Sequence, residues 1–241
     1  DRGVWPAEYE DAYTVGRKLY PTAAGGRRLK LAADICICCA AEGQERGQGI
    51  MKILAINGSP KGGSSNTWKL TRRFLEGMRE GLEETQGKGL RAQRPRSQDG
   101  WTEETGIEIE EIQVNRLEIR PCLGCFSCWD KTPGKCCIQD DMREVIQKLL
   151  WADVTVWSFP LYYYTVPGGL KNLIDRQLPM VLPFMAENEE GTGSGSHPSR
   201  YDMDGKRHVL ISTCGFYSAE GNYDGVCSLF DHICGKDAYT A

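Results

Sequence analysis

Residues 52–67, Lys-Ile-Leu-Ala-Ile-Asn-Gly-Ser-Pro-Lys-Gly-Gly-Ser-Ser-Asn-Thr, constrain the fold of this 241-residue chain more than any other stretch. The apolar run Ile53-Leu54-Ala55-Ile56 reads as a short buried strand, and Asn57-Gly58-Ser59-Pro60 stops it with turn chemistry. Gly62, Gly63, Ser64 and Ser65 keep the following loop small and rich in donors. Leu70, Phe74, Met78 and Leu82 recur every four residues, which predicts a helix over about 66–84. A strand, a Gly/Ser loop and a helix N-terminus together make an anion site. The first helical turn leaves N–H groups without partners, and the positive end of the dipole favours negative charge. The hydroxyls of Ser59, Ser65 and Thr67, the Asn66 amide and Lys61 are the candidate cradle. The plainer reading of the same residues is a βα turn capped by Ser or Asn.

The loop is not G-x-x-x-x-G-K-[ST], which argues against a nucleoside triphosphatase, and it lacks the G-x-G-x-x-G dinucleotide fingerprint. Gly58-Ser59-Pro60-Lys61 followed by Ser65-Asn66-Thr67 resembles the phosphate loop of the flavodoxin-like NAD(P)H-dependent FMN reductases, where the ligand ends in a phosphate monoester. Pro160-Leu161-Tyr162 with Pro167-Gly168-Gly169-Leu170-Lys171 and Asp175-Arg176 is similar to that family's second flavin loop and the helix after it. The resemblance implies that Pro160, Leu161, Tyr162 and Tyr163 flank the flavin, and that Thr213, Cys214 and Gly215 form a third flavin loop. Lys171, Asp175 and Arg176 read as structural.

A second informative stretch is 121–137. Cys122, Cys125 and Cys128 form C-x2-C-x2-C, Cys136 follows after seven residues, and Cys137 is an alternative fourth ligand. Three thiolates this close in sequence can surround one centre without a long loop, as in ferredoxin-type cubanes that recruit a fourth Cys from elsewhere. Structural zinc sites more often use two separated C-x2–4-C pairs. Gly124, Pro133 and Gly134 supply bends. Zinc, or free thiols with no metal, are the competing readings. The pattern also resembles the iron–sulfur flavoproteins, which implies Cys122, Cys125, Cys128 and Cys136 as ligands of a [4Fe–4S] cluster.

The rest of the chain reads as an α/β domain. Ile107–Val114 alternates as a charged edge strand, Met142, Val145, Ile146, Leu149 and Leu150 make a helical stripe behind an apparent Asp141–Glu144 capping box, and Val154–Phe159 and His208–Thr213 are strands. Gly221 to Cys234 predicts a further helix. Residues 1–50 read as an N-terminal appendage of different character, in which Cys36, Cys38 and Cys39 lack a fourth partner. Gln86–Gly106 and 186–205 read as solvated excursions; His197 and His208 have no acid or nucleophile beside them. The domain 51–241 is therefore expected to be a flavodoxin-like three-layer sandwich with a parallel sheet in the order 2-1-3-4, apparently truncated before its last strand and helix.

A net charge of −4 argues against a nucleic-acid backbone as partner, and no apolar run approaches the roughly 18 residues of a membrane span. Eleven cysteines, clustered and odd in number, point to a reducing, cytoplasmic setting and to metal or redox chemistry. The expectation is an FMN-dependent oxidoreductase of the iron–sulfur flavoprotein type, fed by NAD(P)H or a ferredoxin-like donor and homodimeric by resemblance. No side chain is expected to act as a catalytic acid or base. The alternatives are a cluster-free NAD(P)H:quinone or FMN reductase, and a non-enzymatic electron carrier or redox sensor.

Overall fold

The computed structural model describes residues 50–85, 106–185, 197–235 and 239–240. Cys36, Cys38 and Cys39, with nearly all of the expected appendage and most of both excursions, lie outside these. So does the side chain of Leu82.

Among the described residues five parallel strands form one sheet: β1 (Met51–Asn57), β2 (Ile107–Gln113), β3 (Val154–Pro160), β4 (Arg207–Thr213) and β5 (Tyr239–Thr240). Their spatial order is β2-β1-β3-β4-β5, the flavodoxin-like winding. The expected order 2-1-3-4 holds. The expected absence of a fifth strand does not: Tyr239 and Thr240 pair with His208 and Val209. Two residues carry no readable alternation, so the sequence pattern could not announce this strand. β2 lies at the edge, as its charged face predicts.

The helices are α1 (Asn66–Thr85), α2 (Met142–Trp151), α3 (Gly168–Asp175) and α4 (Asp224–Cys234). Successive strand residues face opposite ways. Ile53 and Ala55 of β1, Val154 and Val156 of β3, and Val209 and Ile211 of β4 pack with Leu70, Phe74, Leu75 and Met78 of α1. Leu54, Ile56, Trp157, Phe159 and Leu210 pack with α2, α3 and α4 through Met142, Val145, Leu170, Leu173 and Phe230. β1 and β3 are apolar on both faces because both faces are covered. Phe74 is fully buried, and its truncation to Ala should cost about 3–5 kcal/mol.

The cap of α2 differs from the expectation. Asp141 makes no side-chain cap. Its carboxylate instead accepts from the Glu118 N–H at 2.7 Å, while Asp140 accepts from the Met142 N–H at 3.2 Å. The capping-box spacing was present, but a loop that had to be closed claimed the residue.

Candidate functional site

The carboxyl ends of β1, β3 and β4 meet at one crevice, where open α/β sheets bind ligands. Asn57, fully buried, shapes the first loop: its Oδ1 accepts from the Ser59 N–H at 3.0 Å, and its Nδ2 donates to Gln113 Oε1 at 2.7 Å. Two glycines are required there. A Cβ on Gly58 would lie 2.6 Å from Leu170 Cδ2, and Gly62, at φ +55°, would place one 2.7 Å from Asn115 Nδ2. One 3-10 turn, Gly62–Ser64, then delivers the chain to α1. The helical ladder starts with Lys69 N–H to Ser65 O at 3.1 Å, so the N–H groups of Asn66, Thr67 and Trp68 have no carbonyl behind them.

A cleft of about 190 Å³ opens over this helix start, lined by Ser59, Lys61, Ser64, Ser65, Asn66, Thr67, Pro160, Tyr162 and Thr213. Thr67 and Thr213 share a 2.6 Å hydroxyl contact, tying the first loop to the end of β4. Leu161 N–H donates to Thr213 O at 2.8 Å, tying in the end of β3. Ser59, Lys61, Ser65, Asn66, Thr67, Pro160, Tyr162 and Thr213 thus line one cleft. Leu161, Tyr163, Cys214 and Gly215 do not line the cleft. Ser64 does, and the sequence reading had used it only as a loop residue.

Tyr162 and Thr165 close a tight turn with reciprocal backbone bonds of 2.9 and 3.0 Å. Its central residues, Tyr163 and Tyr164, have φ of 47° and 65°. Bulky residues are unusual in this left-handed region, and such strain tends to collect at ligand sites. Tyr164 stacks on Phe216, with ring centroids 5.6 Å apart.

The cysteine stretch leaves the carboxyl end of β2, on the same side of the sheet. It is a loop with a stapled neck. Arg176 donates from Nη1 and Nη2 to the two carboxylate oxygens of Asp140 at 2.8 and 2.9 Å, and from Nη1 to Arg120 O at 2.8 Å. The Arg120 N–H donates to Asp140 at 3.1 Å, and Asp141 holds Glu118 from the other strand of the neck. Trp129 anchors the loop body by donating to Leu178 O and Val181 O at 3.2 and 3.1 Å. Arg176 and Asp140 are buried, and burial disfavours the Asp140 charge. The Arg176 hydrogen bonds outweigh that and hold its carboxyl below the usual range.

Cys122, Cys125, Cys128, Cys136 and Cys137 all line one small cavity of about 20 Å³, with Arg176, Leu178 and Pro179 on its wall. Cys128 is buried, which raises its thiol pKa, and the thiols that act on it are Cys136, Cys122 and Cys125. Cys137 instead sits 3.5 Å from Cys125. Hydrogen bonding to Ser127 lowers the Cys125 pKa to about 7, with Cys137 assisting. Among the described residues no three Cys, His, Asp or Glu side chains converge closely enough for one metal ion.

His197 packs on Trp129, and His208 Nδ1 accepts from Trp157 Nε1 at 3.2 Å.

A model of the family described as NADPH-dependent FMN reductase matches residues 51–190. The chain belongs to that family. An iron–sulfur flavoprotein of Methanocaldococcus jannaschii is 33% identical over 141 residues, covering 58% of this chain and 59% of that one. An iron–sulfur flavoprotein of Methanosarcina thermophila is 30% identical over 128 residues, covering 53% of each. The chain thus spans a little over half the length of these two relatives. An FMN-dependent NADH-azoreductase from Bacillus anthracis, solved in complex with FMN, is 21% identical with a TM-score of 0.47, covering 78% of this chain and 84% of that one. Among the described residues no helix is long and apolar enough to cross a membrane.

Proposed function

We propose that this family member is an FMN-dependent oxidoreductase that takes electrons from NAD(P)H or a ferredoxin-like donor and carries a [4Fe–4S] cluster in its cysteine loop. One observation carries the flavin half: Ser59, Ser65 and Thr67 line the cleft at the start of α1, where the first N–H groups lack carbonyl partners, and Tyr162 and Thr213 line the same cleft. The residues fit a terminal phosphate. Hydroxyls and N–H groups donate, Lys61 adds a cation, and among the described residues no carboxylate lines the cleft to repel a dianion. Tyr162 and the strained turn behind it would support the ring.

The cysteine loop fits a cubane better than a single ion. A cubane holds its thiolates at separated corners, and these thiols share a cavity without closing on one point. Cys122, Cys125, Cys128 and Cys136 are the proposed ligands: they have the C-x2-C-x2-C-x7-C spacing and all line the cavity. Bound flavin would supply two-electron chemistry and a bound cluster one-electron chemistry, with the protein orienting and insulating both. No side chain in the cleft is a strong acid–base candidate. The homodimer and the donor protein belong to the same proposal, and Leu123 and Phe126, exposed on the cysteine loop, offer an apolar contact.

The test is a titration of cofactor-free protein with FMN and with riboflavin, followed by NADH and NADPH oxidation assays. FMN should bind at least tenfold more tightly than riboflavin. Equal affinities would remove the phosphate loop from the account.

A further inference from the structure

The pair that staples the neck of the cysteine loop has one donor to spare. Both terminal nitrogens of Arg176 are engaged by Asp140, and one also by Arg120 O. Nε is buried and has no hydrogen-bond partner among the described residues. Arg176 also lines the cysteine cavity, where Cys136 lies close enough to interact with the guanidinium. The Arg176 side chain is 1% exposed and that of Asp140 0%. A buried donor without an acceptor is rare in a folded protein, and each one calls for an explanation.

We infer that Arg176 is the positioning residue of the cysteine centre: its unused Nε–H donates to sulfur in the cavity that Arg176 and Cys136 both line, and its charge eases one-electron reduction of the centre. This rests on reading the loop as a [4Fe–4S] site. Arg suits the task, because its planar fork grips a carboxylate with two nitrogens and still presents a third N–H. The Arg–Asp pair is a buried dipole whose positive end lines the cavity. An added electron there lies nearer the guanidinium than the carboxylate. The same pair fixes both ends of the loop, since Arg120 precedes Cys122 by two residues and Asp140 follows Cys137 by three.

Two variants separate the charge effect from misfolding. D140N keeps Arg176 and removes the balancing negative charge. R176Q/D140N removes both charges together, which avoids leaving either buried and unpaired. Full-length proteins are reconstituted anaerobically and assayed for iron. They are then titrated with sodium dithionite as electron source while the reduced-cluster signal is followed by electron paramagnetic resonance. The midpoint should rise in D140N and fall in the double variant. Each shift should correspond to about a tenfold change in the stability of the reduced centre, or about 59 mV for one electron. The flavin midpoint should stay in place. Iron-replete proteins whose cluster midpoints do not move, or move in the same direction, would overturn the role of Arg176 alone. Wild-type protein that takes up no iron would overturn the cluster reading and this inference with it.

Discussion

The turn after β3 allows a strain energy to be measured directly. Tyr163 occupies the left-handed region at φ 47°, and 94% of its surface is exposed, so burial contributes almost nothing there. A left-handed conformation costs an L-residue about 1–2 kcal/mol that glycine escapes. Glycine in turn loses about 0.5–1 kcal/mol more backbone entropy on folding. Tyr163→Gly should therefore stabilise the cofactor-free protein by roughly 0.5–1 kcal/mol. Tyr163→Ala keeps the strain and, like the glycine variant, gives up the edge contact with Tyr164 at 6.0 Å between ring centroids, so it should be the less stable of the two. Tyr164 behaves differently, because Tyr164→Gly also gives up the stack on Phe216, worth about 0.5–1.5 kcal/mol, and should end near zero or slightly destabilised. Urea denaturation of the four cofactor-free proteins reads these differences. If the strain serves the flavin, Tyr163→Gly should also loosen FMN while tightening the fold. A glycine variant less stable than the alanine variant would refute the strain argument.

Three further predictions concern separate groups. Ser59→Ala and Thr67→Ala should each weaken FMN binding by about 1.5–3 kcal/mol, the worth of a hydrogen bond to a charged group, and leave riboflavin binding nearly unchanged in fluorescence titrations. In the cofactor-free protein, alkylation followed by peptide mass spectrometry should find Cys125 labelled faster at pH 7 than Cys128, with a half-maximal rate near its pKa of about 7, because burial holds the proton on Cys128. Burial, assisted by the Lys206 charge, lowers the His208 pKa to about 4 from 6.5. The unfolded chain therefore binds this proton first, and stability is complete above pH 6.5 and declines as pH falls toward 4. The loss is at most about 3 kcal/mol at 1.36 kcal/mol per pKa unit, and His208→Gln should flatten that limb of a urea-denaturation pH series.

The elements legible in the sequence were those whose signal is local. β1, its loop and α1 could be read from an apolar run, turn residues and a four-residue repeat, and the cysteine loop from its spacing. What escaped was long-range. Asn57 reads as turn chemistry, but its grip on Gln113 spans two strands. Arg176 reads as an ordinary end-of-helix residue, and only the fold brings it to Asp140, thirty-six positions away. Asp141 has the spacing of a cap yet serves the loop neck, because a side chain takes whichever donor tertiary structure presents. Tyr163 sits in the loop the pattern pointed to, but the turn's positive φ values carry it away from the cleft lining. β5 pairs through only two residues, too few to show a period.

The measurement that tests the central claim most directly is an absorption spectrum of anaerobically purified protein, with flavin, iron and sulfide assayed on the same sample. The account predicts one FMN and about four irons per chain, the content of a single cubane. Flavin without iron, persisting after anaerobic reconstitution, would contradict the cluster, and protein that retains neither would contradict the flavin cleft as well.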